Sequence, residues 1–308
     1  MNKLKKVGLT ALTTTLVASS AYAAELSVSG SASLNYSGLS TASGSNPYTM
    51  GNSIKFNGSG DLDNGMDVAV YYELDGNIID DYSLTLGLGD GMGTLGFSGA
   101  SMSPGGVDSV KDIVPTAYTP VYENADTTDN GLATTSGRSQ TGMWGYKNSV
   151  AGMDISVGYN PVNSTAGAES ETSIGLTFNA MDGLTLVAGR FEDDGVAEND
   201  TYGFKYSMGG LTLGYQKTEV NYDATGTSDQ SATHYGLSFA VNENLSVSAG
   251  RQVVDIDTAA DDETNTGVNA SYTMGSITIA GGMNEVSSIS GSSGSDAEVT
   301  MVNLSFAF

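Results

Sequence analysis

Residues 25–36 read ELSVSGSASLNY, and the difference between their two faces decides the fold. Leu26, Val28, Ala32, Leu34 and Tyr36 share one parity, while Ser27, Ser29, Ser31, Ser33 and Asn35 share the other. Alternation with a period of two marks a strand with one apolar and one polar face. About ten residues is also the length a tilted strand needs to cross a bilayer.

The alternation recurs near 53–62, 66–74, 81–88, 93–100, 141–148, 153–159, 171–179, 184–191, 200–207, 211–220, 231–239, 245–253, 265–272, 277–285 and 298–308, making sixteen strands. Leu211, Leu213 and Tyr215 alternate with Thr212 and Gly214, and Leu245, Val247 and Ala249 with Ser246, Ser248 and Gly250. A water-soluble barrel turns its apolar face inward and fills its centre with bulk. Ser, Thr, Gly and Asn cannot fill a core sixteen strands around, so the polar face lines water and the apolar face meets lipid. The fold class is all-β, a transmembrane antiparallel barrel. Its connections alternate in length. Asp63-Asn64-Gly65, Gly89-Asp90-Gly91, Met181-Asp182-Gly183 and Met208-Gly209-Gly210 are tight turns rich in residues that accept positive φ. Longer polar loops at 37–52, 160–170, 192–199, 221–230, 254–264 and 286–297 fall between them, as at the outer end of an outer-membrane barrel. Aromatic residues gather at strand ends: Tyr146, Phe178, Tyr206, Phe239, Tyr272 and Phe308 at one end, Tyr36, Tyr72, Tyr159, Phe191 and Tyr215 at the other.

The first 23 residues carry Lys3, Lys5 and Lys6, an apolar middle and Ala21-Tyr22-Ala23, the pattern of a secretory signal peptide ahead of a barrel domain at 24–308. Its removal takes three of the 11 basic residues and none of the 35 acidic ones, leaving eight against 35, a net charge of −27. Such a surface repels nucleic acid. With no cysteine, disulfides and thiolate metal sites are excluded.

Residues 101–140 break the pattern. They hold three of the five prolines (Pro104, Pro115, Pro120) and the carboxylates Asp108, Asp112, Glu123, Asp126 and Asp129. A structureless loop of about 40 residues is functional or disordered, and its Pro and Tyr content argues for packing.

On these features the chain resembles the sixteen-stranded general porins of Gram-negative outer membranes, most closely the alphaproteobacterial type. The resemblance rests on ELSVSGSASLNYSG at the start, LDNGMDVAVYYE, the long loop after the fifth strand, VVDIDTAADDETNTGVNASYTMG, and the ending VNLSFAF. It implies that the long loop folds into the lumen as a constriction, that three barrels associate, and that the terminal Phe308 is read by the barrel-insertion machinery. The five loop carboxylates then become the acidic side of the constriction, stiffened against the wall by Pro115, Tyr118, Pro120 and Tyr122. A basic cluster on the opposite wall is poorly matched: Lys55, Lys147 and Lys205 have lumen parity, Arg138 lies where the loop rejoins the barrel, and no Lys or Arg falls between Lys55 and Lys111. Arg190, Lys217 and Arg251 sit on the lipid parity near the outer ends of their strands, where they either snorkel or turn inward at a bulge. The expected function is a cation-preferring, water-filled channel for ions and small hydrophilic solutes, standing in lipid and lipopolysaccharide, without enzymatic activity or a required cofactor.

Other constellations carry less. Gly91-Met92-Gly93-Thr94-Leu95-Gly96 fits a dinucleotide fingerprint by letter, but it joins two strands with no helix after it. His234, the single histidine, reads as a polar rim residue; a hydrolase on a barrel would need a positioned serine and an orienting partner. Asp255, Asp257, Asp261, Asp262 and Glu263 could bind Ca²⁺ through carboxylate oxygens, but lack the spacing of an EF-hand loop. The competing class is an acidic β-rich surface adhesin or structural outer-membrane protein with no open pore. A solenoid of that kind shows a fixed short repeat, and none is present.

Overall fold

The computed structural model describes residues 25–41, 46–76, 78–100, 105–122, 142–161 and 170–308. Residues 1–23, read from the sequence as a signal peptide, and Glu123, Asp126, Asp129 and Arg138 lie outside these residues.

The chain runs through β1 (Glu25–Leu39), β2 (Tyr48–Asp61), β3 (Asp67–Asp75), β4 (Ile78–Gly87) and β5 (Thr94–Ala100), then β6 (Trp144–Val150), β7 (Met153–Asn160), β8 (Glu171–Met181), β9 (Leu184–Asp193) and β10 (Ala197–Met208). It continues through β11 (Leu211–Tyr222), β12 (Gln230–Ala240), β13 (Leu245–Ile256), β14 (Glu263–Met274), β15 (Ile277–Ser287) and β16 (Ala297–Ala307). Each strand pairs antiparallel with the next, and β16 returns to β1 with Ser31 opposite Ala307 and Leu39 opposite Val299. Closure leaves no sheet edge, so wall backbone groups pair within the wall, the condition for standing in hydrocarbon.

The sixteen expected strands are all present. They extend further toward the loop end than their apolar pattern does: β9 and β10 are joined by Asp194, Gly195 and Val196 alone. Glu192, Glu198 and Asp200 interrupt the apolar face there, yet strand pairing continues past the point where lipid gives way to water. The β3–β4 connection, residues 76–77, lies at the same end and is shorter by one residue, so the alternation of loop lengths is not strict.

The burial pattern is that of a soluble protein turned inside out. Leu26, Val28, Leu34, Leu84, Leu186, Leu213, Leu237 and Val302 stand exposed on the outer face, as the lipid-facing band of a barrel requires. Tyr36 meets Tyr48 with ring centroids 5.3 Å apart, and Tyr215 lies between Phe204 and Tyr235 at 5.9 and 5.4 Å. Phe191 departs from this girdle. It has lumen parity, is 5% exposed, and packs with Val107, Val110, Ile113, Val114 and Val187. Arg190 points outward and pairs with Glu198 and, at 3.7 Å, with Asp200. Lys217 bonds Glu219 at 2.6 Å on the same outer face. Neither strand bulges at these positions, so neither residue turns into the lumen. Phe308 exchanges backbone hydrogen bonds with Gly30 (2.8 and 2.9 Å), and its ring lies where a Cβ on Gly30 would be.

Candidate functional site

The described part of the long loop, residues 105–122, lies along the inside of the barrel wall. It enters beside β7, where the Gly106 amide donates to Ser156 Oγ (2.8 Å), and makes a short 3-10 turn at Val107–Val110. It crosses to β11, where Gln216 clamps it from both sides: the side-chain amide donates to the Val110 carbonyl (3.0 Å) and accepts from the Ile113 amide (3.3 Å). It reaches β13 and β14, where the Ala117 amide donates to Ser248 Oγ (2.8 Å) and Asn269 Nδ2 to the Thr119 carbonyl (3.0 Å). Burying an amide chain against a wall leaves its donors and acceptors to be satisfied by whatever the wall offers. This wall offers Ser, Gln and Asn at the required places.

Close approach needs space as well. A Cβ on Gly189 would stand 2.7 Å from Val107 Cγ2, one on Gly214 would stand 2.3 Å from Pro115 Cδ, and one on Gly236 would stand 2.4 Å from Val114 Cγ1. Gly175 and Gly250 are approached by Ser109 and Val121 in the same way. Gly214, Gly236, Gly250 and Gly267 lie directly opposite one another across β11 to β14. The loop therefore rests on a shelf of strand-interior glycines, where missing side chains admit another backbone. Its apolar residues, Val107, Val110, Ile113 and Val114, face this shelf and form the apolar core named above.

Of the predicted loop residues, Pro115 and Tyr122 pack on the wall. Tyr122 meets His234 edge-on with centroids 5.0 Å apart and donates to Asp112 Oδ1 (2.8 Å). His234 is consequently 4% exposed and is no rim residue: parity placed it on the lumen face, but only the fold shows the loop lying over it. Among the described residues no hydrogen bond joins its imidazole to a hydroxyl nucleophile. Tyr118 and Pro120 are half-buried, and burial raises the Tyr118 phenol above its ordinary pKa. Asp108 forms an ion pair with Lys111 at 2.8 Å, and Asp112 is exposed toward the lumen.

The basic candidates separate by height. Lys55 lies on β2 and reaches Glu73 on β3 at 3.4 Å. Lys147 lines a cavity of about 750 Å³ below the loop, together with Asp67, Asp90, Asp154 and Ser109. Lys205 lies beside the β8–β9 turn. The Ca²⁺ candidates are not gathered at one point. Asp255 faces outward, Asp257, Asp261 and Asp262 are exposed, and Glu263 is buried inside, accepting from Asn265 Nδ2 (2.9 Å) and the Ser290 amide (2.8 Å). Among the described residues no group of three or more His, Cys, Asp or Glu is placed to hold a metal.

Sequence reasoning missed Glu73 and Asp81, which face each other across β3 and β4 on the lumen side. It also missed Gln216 and the glycine shelf. The glycines were visible as one small residue near the middle of strand after strand, a signal of close backbone approach.

A closed antiparallel barrel, apolar outside and polar within, with a loop laid against its inner wall, is a channel of the outer-membrane class. The chain belongs to the Gram-negative porin family, whose profile matches residues 8–308. It is an outer-membrane porin. No curated protein sequence matches it significantly. Solved structures similar to it include a loop L8 deletion mutant of OmpT, an outer membrane protein of Vibrio cholerae, at 13% identity and TM-score 0.72, covering 93% of this chain and 100% of that one. A porin structure refined at 1.8 Å resolution matches at 16% identity and TM-score 0.70, covering 92% and 100%. A porin mutant from Rh. blastica matches at 16% identity and TM-score 0.66, again covering 92% and 100%.

Proposed function

We propose that this porin passes small hydrophilic solutes and ions by passive diffusion with a preference for cations, as one of three associated barrels. The observation that supports this reading is the position of the loop. It lies against one side of the wall, β7 to β14; the charged groups described on the loop are Asp108, Lys111 and Asp112, and those gathered around Glu73 on the far wall are Lys55, Glu73 and Asp81. Four are acidic and two basic, and carboxylates in a narrow wall of low dielectric concentrate cations and repel anions.

The test is single-channel recording of the refolded mature protein in a planar bilayer under a KCl gradient. Steps of constant size and a reversal potential of the sign set by K⁺ are expected. The preference fades as salt approaches 1 M, where the screening length falls to about 3 Å. A reversal potential at zero in 0.1 M salt contradicts the cation reading.

A further inference from the structure

The contacts of the loop descend the wall as they cross it, from Gly158 on β7 through Gly189 and Gly214 to Ser248 on β13. The hydrogen-bonded rows of the barrel climb in the opposite sense, because the strands are tilted. Continued round the barrel, the slope of the loop meets the far wall at Asp81 on β4, Glu73 on β3 and Lys55 on β2. These side chains share the lumen face and stand opposite the loop across the passage.

The two sides differ in how their charges are held. On the loop, Asp108 is paired with Lys111, and Asp112 accepts a hydrogen bond from the hydroxyl of Tyr122, which is itself pressed on His234. On the far wall, Glu73 collects Lys55, Ser53 Oγ (2.5 Å) and the Tyr71 hydroxyl. Asp81, directly across from Glu73, has one carboxylate oxygen, Oδ1, closed off from solvent and without a hydrogen-bond partner among the described residues. The ion pair of Lys55 is with Glu73, and no ammonium among the described residues is in contact with Asp81.

We propose that Glu73 and Asp81, on the wall facing the loop, are the residues that set the ion preference of this channel. Lys55 acts as an internal counter-ion that limits it, and the loop carboxylates Asp108 and Asp112 serve mainly to hold the loop. The proposal rests on the cation-preferring reading above, and the unmodified protein tests that reading first.

Four proteins are compared by reversal potential under a KCl gradient in 0.1 M salt: the unmodified chain, Glu73→Gln with Asp81→Asn, Asp108→Asn with Asp112→Asn, and Lys55→Met. The wall pair should bring the K⁺/Cl⁻ permeability ratio to unity or below. The loop pair should change it less than twofold, and Lys55→Met should raise it. The opposite sign expected of Lys55→Met keeps the test decisive if the wall pair fails to fold. A ratio that the wall pair and Lys55→Met leave within twofold of the unmodified value, while the loop pair abolishes it, overturns the proposal. No cation preference in the unmodified protein overturns the functional reading itself, a result distinct from either.

Discussion

The two sides of this barrel solve opposite problems. The wall of β7 to β14 is built to be covered: glycines leave room, Ser156, Gln216, Ser248 and Asn269 satisfy the loop backbone, and the covered apolar residues form the described core around the loop. The wall of β1 to β4 is built to be bare, with Ser29, Ser31, Ser33, Lys55 and Glu73 facing the passage. One wall resembles a protein interior and the other a protein surface, though both belong to one sheet. Among the described residues the loop covers one side only, and the other side is left to meet the solute.

Adding bulk to each wall should break the symmetry most sharply. Gly214→Val with Gly236→Val drives methyl groups into Val114 and Pro115, and overpacking a filled site costs about 1–3 kcal/mol each. The loop should be displaced into the lumen, with lower and noisier conductance and an unfolding temperature below that of the parent. Ser31→Trp on the bare wall puts its ring in water. It should reduce single-channel conductance without lowering the unfolding temperature, and a large stability loss would show that this wall is covered after all. Gln216→Ala is the next effect in size. It strips partners from the Val110 carbonyl and the Ile113 amide, each unmet group costing about 1–3 kcal/mol. Protease cleavage within 105–122 should become faster while the barrel stays folded on a gel. Tyr122→Phe should be the mildest, removing one hydrogen bond worth about 0.5–1.5 kcal/mol while keeping the ring on His234. A small rise in current noise with unchanged mean conductance is expected.

The bare wall was easier to read from sequence than the covered one. Alternation of Leu26 to Tyr36 with Ser27 to Asn35 reports directly which face meets lipid, because the strand's period is fixed and local. The seat of the loop joins residues far apart in the chain, such as Ile113 and Gln216, and no local period encodes that pairing. Gly189, Gly214 and Gly236 looked merely too small to fill a core, when their smallness was the feature in use. Glu73 and Asp81 escaped for another reason. The register shifts between Glu73 and Leu74, so counting parity along β3 and β4 does not show that the two carboxylates face each other. Phe191 misled in the reverse direction: an aromatic at a strand end suggested the girdle, but its parity sends it inward.

The seam between β1 and β16 has a consequence for how the molecule comes into being. The first strand waits with one flank unpaired until the last has been made, since Gly30 takes its partner from Phe308 and Ser31 from Ala307. A chain cut short anywhere before β16 would keep two open flanks, each a template for another chain. Completion is therefore a single late event, whose entropic cost grows only slowly with the length of chain enclosed. Phe308 acts as a clasp, and a copy lacking β16 is more prone to aggregate than to form a narrower channel.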